Sequence, residues 1–144
     1  MTGEPSDPFD LQRFVDAQDP VYSKVCAELR AGRKTSHWIW FIFPQLRGLG
    51  HSPMASEFGI GSQQEAEGYL AHPVLGPRLL ECTRLVNAIE GRSISQIFGY
   101  PDDLKFRSSM TLFASVGSAG DPPFQYALEK YFGGERDPFT LERL

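Results

Sequence analysis

The residues best suited to chemistry lie close together, within residues 32–51. This stretch holds both tryptophans of the chain, two of its three histidines and three cations. An aromatic centre flanked by cations is typical of a half-buried ligand pocket, in which rings form the walls and charges orient the ligand. We therefore expect ligand contacts from Lys34, Trp40, Gln45 and Arg47. His37 is a candidate general acid or base, with a hydrogen-bonded structural histidine as the alternative.

Arg47 opens a loop that combines a cation, two glycines and a helix start at Ser52. Backbone N–H groups and the positive end of a helix can converge on an anion in such a loop. A plain turn between two helices is the alternative, because no phosphate-binding glycine motif is present. The loop therefore indicates an anionic ligand without identifying it.

A second concentration of polar residues lies within residues 100–111. Asp102 and Asp103 can cap a helix that begins there, or one of them can orient or activate water in a hydrolytic reaction. Lys105 is then expected to neutralise a charge on the ligand, and Ser109 to contribute a hydroxyl. A serine nucleophile is not expected, because no base stands beside the hydroxyls and the GxSxG pattern is absent. We expect both polar concentrations to meet in one pocket.

The elements that must position these residues are predicted to be helices. A polar cap followed by proline marks helix starts at residues 7, 19 and 52, and capping boxes mark two more at 62–65 and 93–96. Apolar residues at three- and four-residue steps predict helices over 20–31 and 74–89, and a last helix over about 123–132. A further helix begins at Asp102 and carries Phe106, Met110 and Phe113 on one buried stripe. The predicted fold class is all-α.

The apolar run over residues 36–43 fits a buried helix or a buried strand equally well. A lone strand would leave its backbone groups unpaired, so the lack of a partner strand favours a helix. Trp38 and Trp40 lie on different faces of such a helix, at about 200° to each other. One is therefore expected in the core, and the other in the wall of a pocket.

Composition sets limits on the class of function. The 144 residues carry 14 cationic and 18 acidic side chains, a formal net charge of −4, so a nucleic-acid partner is not expected. Two isolated cysteines, Cys26 and Cys82, lack metal-ligand spacing and are expected to be buried; no metal or cofactor is predicted. No secretory segment and no apolar run long enough for a bilayer are present, so we expect a cytoplasmic protein without a membrane partner. Residues 1–6 are predicted to be a flexible N-terminus, and 7–144 a single helical domain of undetermined oligomeric state.

Several longer strings identify the chain as similar to a known family. They are LRAGRK (29–34), HWIWFIFPQLRGLG (37–50), DPFDL (7–11), LGPRL (75–79), PDDLK (101–105) and SSMTLF (108–113). They resemble a bacterial family of uncharacterised proteins, domain of unknown function eighteen-ten, which includes mycobacterial conserved hypothetical proteins. The resemblance implies a compact, mainly helical domain and carries no established catalytic residue. Some members are labelled calpastatin, a disordered protease inhibitor, and this phenylalanine-rich composition disagrees with that label.

Two classes of function remain open. The first is a pocket for a phosphorylated or nucleotide-like small molecule, with a hydrolase of N-glycosidase type as one option by analogy with helical N-glycosidases. The second is a non-catalytic protein-interaction or structural domain, in which the aromatic segment is core and the exposed charges meet a partner. A deep pocket between residues 34–51 and 102–109 favours the first class.

Overall fold

The computed structural model describes residues 7–117 and 123–144; the predicted flexible N-terminus lies outside these residues. The described residues are 62% helical and form no sheet, which confirms the all-α prediction. None of the described helices is long and apolar enough to cross a bilayer. The helices of the described residues are α1 Gln12–Gln18, α2 Tyr22–Arg30, α3 Ile39–Ile42, α4 Pro53–Glu57, α5 Gln63–Ala71, α6 Leu75–Asn87, α7 Ile94–Phe98, α8 Asp102–Val116, α9 Pro123–Phe132 and α10 Pro138–Arg143.

Three predicted helix starts are confirmed by their caps. The Ser52 hydroxyl accepts from the N–H of Ala55 at the start of α4, and Ser62 caps α5 in the same way. The predicted capping box at 62–65 is only half formed, because the Glu65 side chain accepts from the N–H of Gly61 and not from that of Ser62. At α7, Ser93 and Gln96 form a complete capping box, in which each side chain bonds to the backbone of the other. These caps join residues three apart in sequence, so a local pattern was sufficient to predict them.

Three predicted aspartate caps are wrong. Asp7 does not start a helix beside it; its carboxylate accepts from the N–H groups of Leu11 and Gln12, so α1 begins later. Asp19 instead pairs with Arg78 at 2.9 Å, and α2 begins at Tyr22 without a side-chain cap. Asp102 is the first residue of α8 and does not cap it, because its carboxylate bonds to Lys34.

The aromatic segment forms a shorter helix than predicted. Of residues 36–43, only Ile39–Ile42 are helical. The N–H groups of Thr35 and Ser36 donate to the side chain of Glu28, so the backbone there is held outside a helix. Trp38 lies in the core with 1% exposure, whereas Trp40 is half-buried, as expected for residues on different faces.

Glu28 anchors this segment to α2. Its carboxylate is buried and accepts the two backbone N–H groups, the Ser36 hydroxyl at 2.6 Å and the indole N–H of Trp38 at 3.0 Å. Burial alone would raise the pKa of Glu28, but these donors outweigh it and hold the pKa at about 2. The carboxylate is therefore ionised at neutral pH and fixes the entry to α3.

A short extended contact lies next to the aromatic segment. Leu46 and Ile60 form an isolated parallel β-bridge, in which the N–H of Arg47 donates to Ile60 and the N–H of Ile60 donates to Gln45. The two backbones come so close that a Cβ on Gly59 would lie 2.7 Å from the Cα of Arg47. Glycine is therefore required there, and the bridge fixes the path of the 45–51 loop.

The core is organised around α8, which packs against α3, α5, α7, α9 and α10. Phe106, Met110 and Phe113 are fully buried on this helix, as their spacing predicted. The Phe106 ring stacks on Phe98 at 4.8 Å between centroids, and the edge of Phe43 meets it at 5.0 Å. The aromatic segment and α8 therefore share one continuous core.

Phe113→Ala should destabilise the protein by about 3–5 kcal/mol, because a buried ring is lost and a cavity remains. Phe113 is fully buried between Tyr69 and Phe124. Urea unfolding followed by circular dichroism measures the change. The control is Tyr126→Ala, which removes a ring that is 51% exposed and should cost less than about 1 kcal/mol. Equal losses in the two variants would show that Phe113 is not core.

Glu28→Gln should weaken the dependence of stability on pH. The folded-state pKa of Glu28 is about 2, below its ordinary value of 4.5, so its contribution is present above about pH 4.5 and lost as pH falls towards 2. That contribution is about 3 kcal/mol. Urea unfolding at neutral and acid pH should show that the free energy of unfolding falls more for the parent than for Glu28→Gln as the pH is lowered. Glu67→Gln, which changes an exposed carboxylate, should behave as the parent does. If the free energy of unfolding falls equally in the parent and in Glu28→Gln, the Glu28 carboxylate does not stabilise the fold in this way.

Candidate functional site

A groove of about 590 Å³ lies between the 45–51 loop, the start of α8 and the α10 segment. The first polar concentration contributes Gln45 and His51 to its walls, and the second contributes Lys105 and Arg107. The two polar segments therefore face one cavity, although with a partly different set of side chains from the predicted one. We call this cavity the central groove.

The cations of the central groove differ in how far their donors are occupied. Arg107 donates to the backbone carbonyls of Glu135 and Arg136, which holds the loop before α10. Lys105 contacts Asp102 at 3.4 Å and lies over the Trp40 ring at 5.3 Å. Arg143 donates one N–H to the carbonyl of Phe139. Lys105 and Arg143 therefore retain donors that these contacts do not use.

Asp137 is the carboxylate in the described wall of the central groove. It caps α10: its Oδ2 accepts from the N–H and the hydroxyl of Thr140 and from the Ser108 hydroxyl. Its own N–H donates to the hydroxyl of Thr111 on α8. These bonds tie α10 to α8 and use one carboxylate oxygen for the fold.

The apolar part of the central groove is exposed to solvent. Phe139 is 61% exposed and Leu104 is 46% exposed, on the α10 and α8 sides respectively. Large apolar side chains are mostly buried in folded domains, so this concentration is informative. An aromatic surface thus lies beside unoccupied cationic donors.

Of the predicted site residues, Gln45 and Lys105 line the central groove. With Trp40, they also line a small adjoining cavity of about 10 Å³, room for roughly one water molecule. Trp40 therefore lies behind Lys105 and not in the groove wall. These three predicted ligand-binding residues form one neighbourhood.

Lys34 and Asp102 form an ion pair below the start of α8. Their charged atoms are 2.7 Å apart, and the Lys34 side chain is only 6% exposed. The Lys34 ammonium also lies over the Trp38 ring at 5.2 Å. The pair joins the aromatic segment to α8, so both charges already have protein partners.

Four other predicted site residues lie outside the described walls of the groove. The Arg47 guanidinium donates to the carbonyl of Gly59 at 3.1 Å. His37 is exposed before α3, and Asp103 accepts a local bond from the N–H of Leu104. Ser109 is fully buried on α8, and its neighbour Ser108 reaches the groove instead. Their predicted roles stay predictions.

Sequence reasoning missed the part of the groove that α10 supplies. Asp137, Phe139 and Arg143 all come from this C-terminal segment. A signal was present, because Asp137 precedes Pro138 in the same cap arrangement that marks Ser52 and Pro53. Among the described residues, no group of three or more His, Cys, Asp or Glu side chains is placed to hold a metal ion.

Comparisons with known proteins agree with this architecture. No curated protein matches the chain. The crystal structure of the conserved hypothetical protein Rv1873 from Mycobacterium tuberculosis is similar, with 60% sequence identity and a TM-score of 0.94, over 96% of this chain and 98% of that chain. A family model described as protein of unknown function (DUF1810) matches residues 8–144. Because this match spans nearly the whole chain, the protein belongs to the DUF1810 family.

Proposed function

We propose that the central groove binds a phosphorylated, nucleotide-like small molecule. Its volume of about 590 Å³ is within the range of small-molecule sites, roughly 300–1,000 Å³. Three separate segments of the chain build its walls, which allows polar and apolar groups to face one ligand. The size and construction of the groove support a ligand of several linked chemical groups.

The balance of charge in the groove supports an anionic group on the ligand. Lys105 has three N–H donors and Arg143 has five, and their contacts with the protein occupy only part of them. The described wall holds three cationic side chains, Lys105, Arg107 and Arg143, against one carboxylate, Asp137. Arginine and lysine donors bind phosphate oxygens through charge-assisted hydrogen bonds.

The exposed ring of Phe139 supports a planar group on the same ligand. Aromatic rings stack on bases through offset or edge contacts, and stacking adds to the burial of apolar area. Phe139 and Arg143 are four residues apart on α10, so they stand one helical turn from each other. This juxtaposition of an open aromatic ring and an open cation is the observation that carries the proposal.

AMP should raise the melting temperature of the parent protein. Calorimetric titration should give a higher Kd for inorganic phosphate than for AMP, because phosphate lacks the base. Arg143→Ala should weaken AMP binding by about tenfold or more, because a charge-assisted hydrogen bond contributes roughly 1.5–3 kcal/mol. Phe139→Ala should weaken AMP binding but leave phosphate binding unchanged. Arg30→Ala, which removes an exposed cation outside the groove walls, is the matched control.

Two results would contradict the proposal. The first is that neither AMP nor phosphate stabilises the parent, and the second is that Arg143→Ala binds both as the parent does.

The titration samples also show whether the groove is catalytic, because an N-glycosidase would release adenine from AMP. Asp137 is the carboxylate of the described groove wall and is therefore the candidate to activate water, so Asp137→Asn should abolish release while keeping the α10 cap, since asparagine caps helices as well as aspartate does.

A further inference from the structure

A group of four exposed cations lies outside the central groove. We call it the basic face: Lys24, Arg30, Arg33 and Arg92. It surrounds two surface depressions of about 370 and 450 Å³, which share Ala31 and Arg92 in their walls. The depressions are therefore adjacent, and they are built by α2, the turn after it and the end of α6.

The acidic side chains in these depressions are already engaged. Glu28 lines one of them, but its carboxylate accepts four hydrogen bonds from residues 35–38. Glu90 lines the other and contacts Lys130 at 3.4 Å. By contrast, none of the four cations forms an ion pair with another described residue. The four cations therefore outnumber the two carboxylates, Glu28 and Glu90, in the walls of these depressions, and the basic face is positively charged on balance.

The turn after α2 holds one of these cations in place. Gly32 has φ = +81°, and a Cβ at this position would lie 3.2 Å from the Nε of Arg92. The bare backbone therefore lets the Arg92 side chain lie against the turn, at the junction of the two depressions. Arg30, Gly32 and Arg33 belong to the string LRAGRK, and no residue of this string lines the central groove.

We propose that the basic face binds a short acidic peptide segment of a partner protein. Carboxylates on neighbouring residues of such a segment can bond to the guanidinium groups in a two-pronged geometry. The cations of this face are spread around two adjacent depressions, which suits an extended segment better than a compact ion. The partner is therefore defined by a run of Asp or Glu side chains.

The rest of the surface disfavours a nucleic acid at this face. The chain has a formal net charge of −4, so the remainder carries −8 once these four cations are set apart. A long polyanion would extend from the basic face over that acidic surface and be repelled. A short acidic segment remains within the basic face and avoids this repulsion.

Fluorescein-labelled hexaglutamate tests the proposal by fluorescence anisotropy at low salt. The parent should bind it, and added salt should weaken binding because exposed charges are screened. The double variant Arg33→Gln and Arg92→Gln should bind about tenfold more weakly or worse. The control, Arg47→Gln with Arg143→Gln, changes the net charge equally at exposed sites elsewhere and should bind as the parent does. Circular dichroism should show an unchanged fold for both variants.

Each other outcome overturns the proposal. If the parent does not bind hexaglutamate at low salt, or if the double variant binds as well as the parent, the basic face has no such role. If the control variant loses binding instead, the peptide occupies the central groove. If labelled oligothymidylate binds the parent more tightly than hexaglutamate, the face recognises nucleic acid and not acidic peptide.

Discussion

The buried carboxylate of Glu28 is the constraint on which the aromatic segment depends. Taking an ionised group out of water is costly unless hydrogen bonds replace its solvation. Glu28 receives four such bonds from residues 35–38, and one of them comes from the Trp38 indole. Trp38 in turn packs against Phe43 and Phe98, whose rings contact Phe106 on α8. One carboxylate on α2 therefore sets the position of the helix that forms a wall of the central groove.

A second charged contact fixes the same wall from the other side. Lys34 and Asp102 join the residues before α3 to the first residue of α8. A buried ion pair of this kind contributes little net stability, because desolvation offsets the attraction, but it disfavours arrangements that leave either charge alone. Asp102 also contacts Lys105. The position of the groove lysine therefore follows from the pair beneath it.

Local patterns predicted the elements well where the interactions are local. Ser52, Ser62 and Ser93 each cap the helix that follows by accepting from the N–H three residues ahead, and the stripe of Phe106, Met110 and Phe113 is buried as its spacing indicated. Asp19 and Asp102 have the same local appearance as caps. Their carboxylates, however, bond to cations about 60 residues away or more, and no pattern around an aspartate encodes such a partner. For Asp102, the cost of leaving the buried Lys34 charge unpaired decided between the two uses, whereas the Asp19 pair is a surface contact.

The same limit explains which candidate site residues reached the groove. Arg33 and Lys34 are adjacent and similar in sequence, yet Lys34 is buried in an ion pair whereas Arg33 is exposed on the basic face. A sequence shows where cations are concentrated, and two residues of those concentrations, Gln45 and Lys105, line the central groove. It does not show which charges the fold itself has already paired. Charges that keep unused donors after folding can recognise another molecule, so the chemistry of this surface depends on long-range contacts that appear only once the chain is folded.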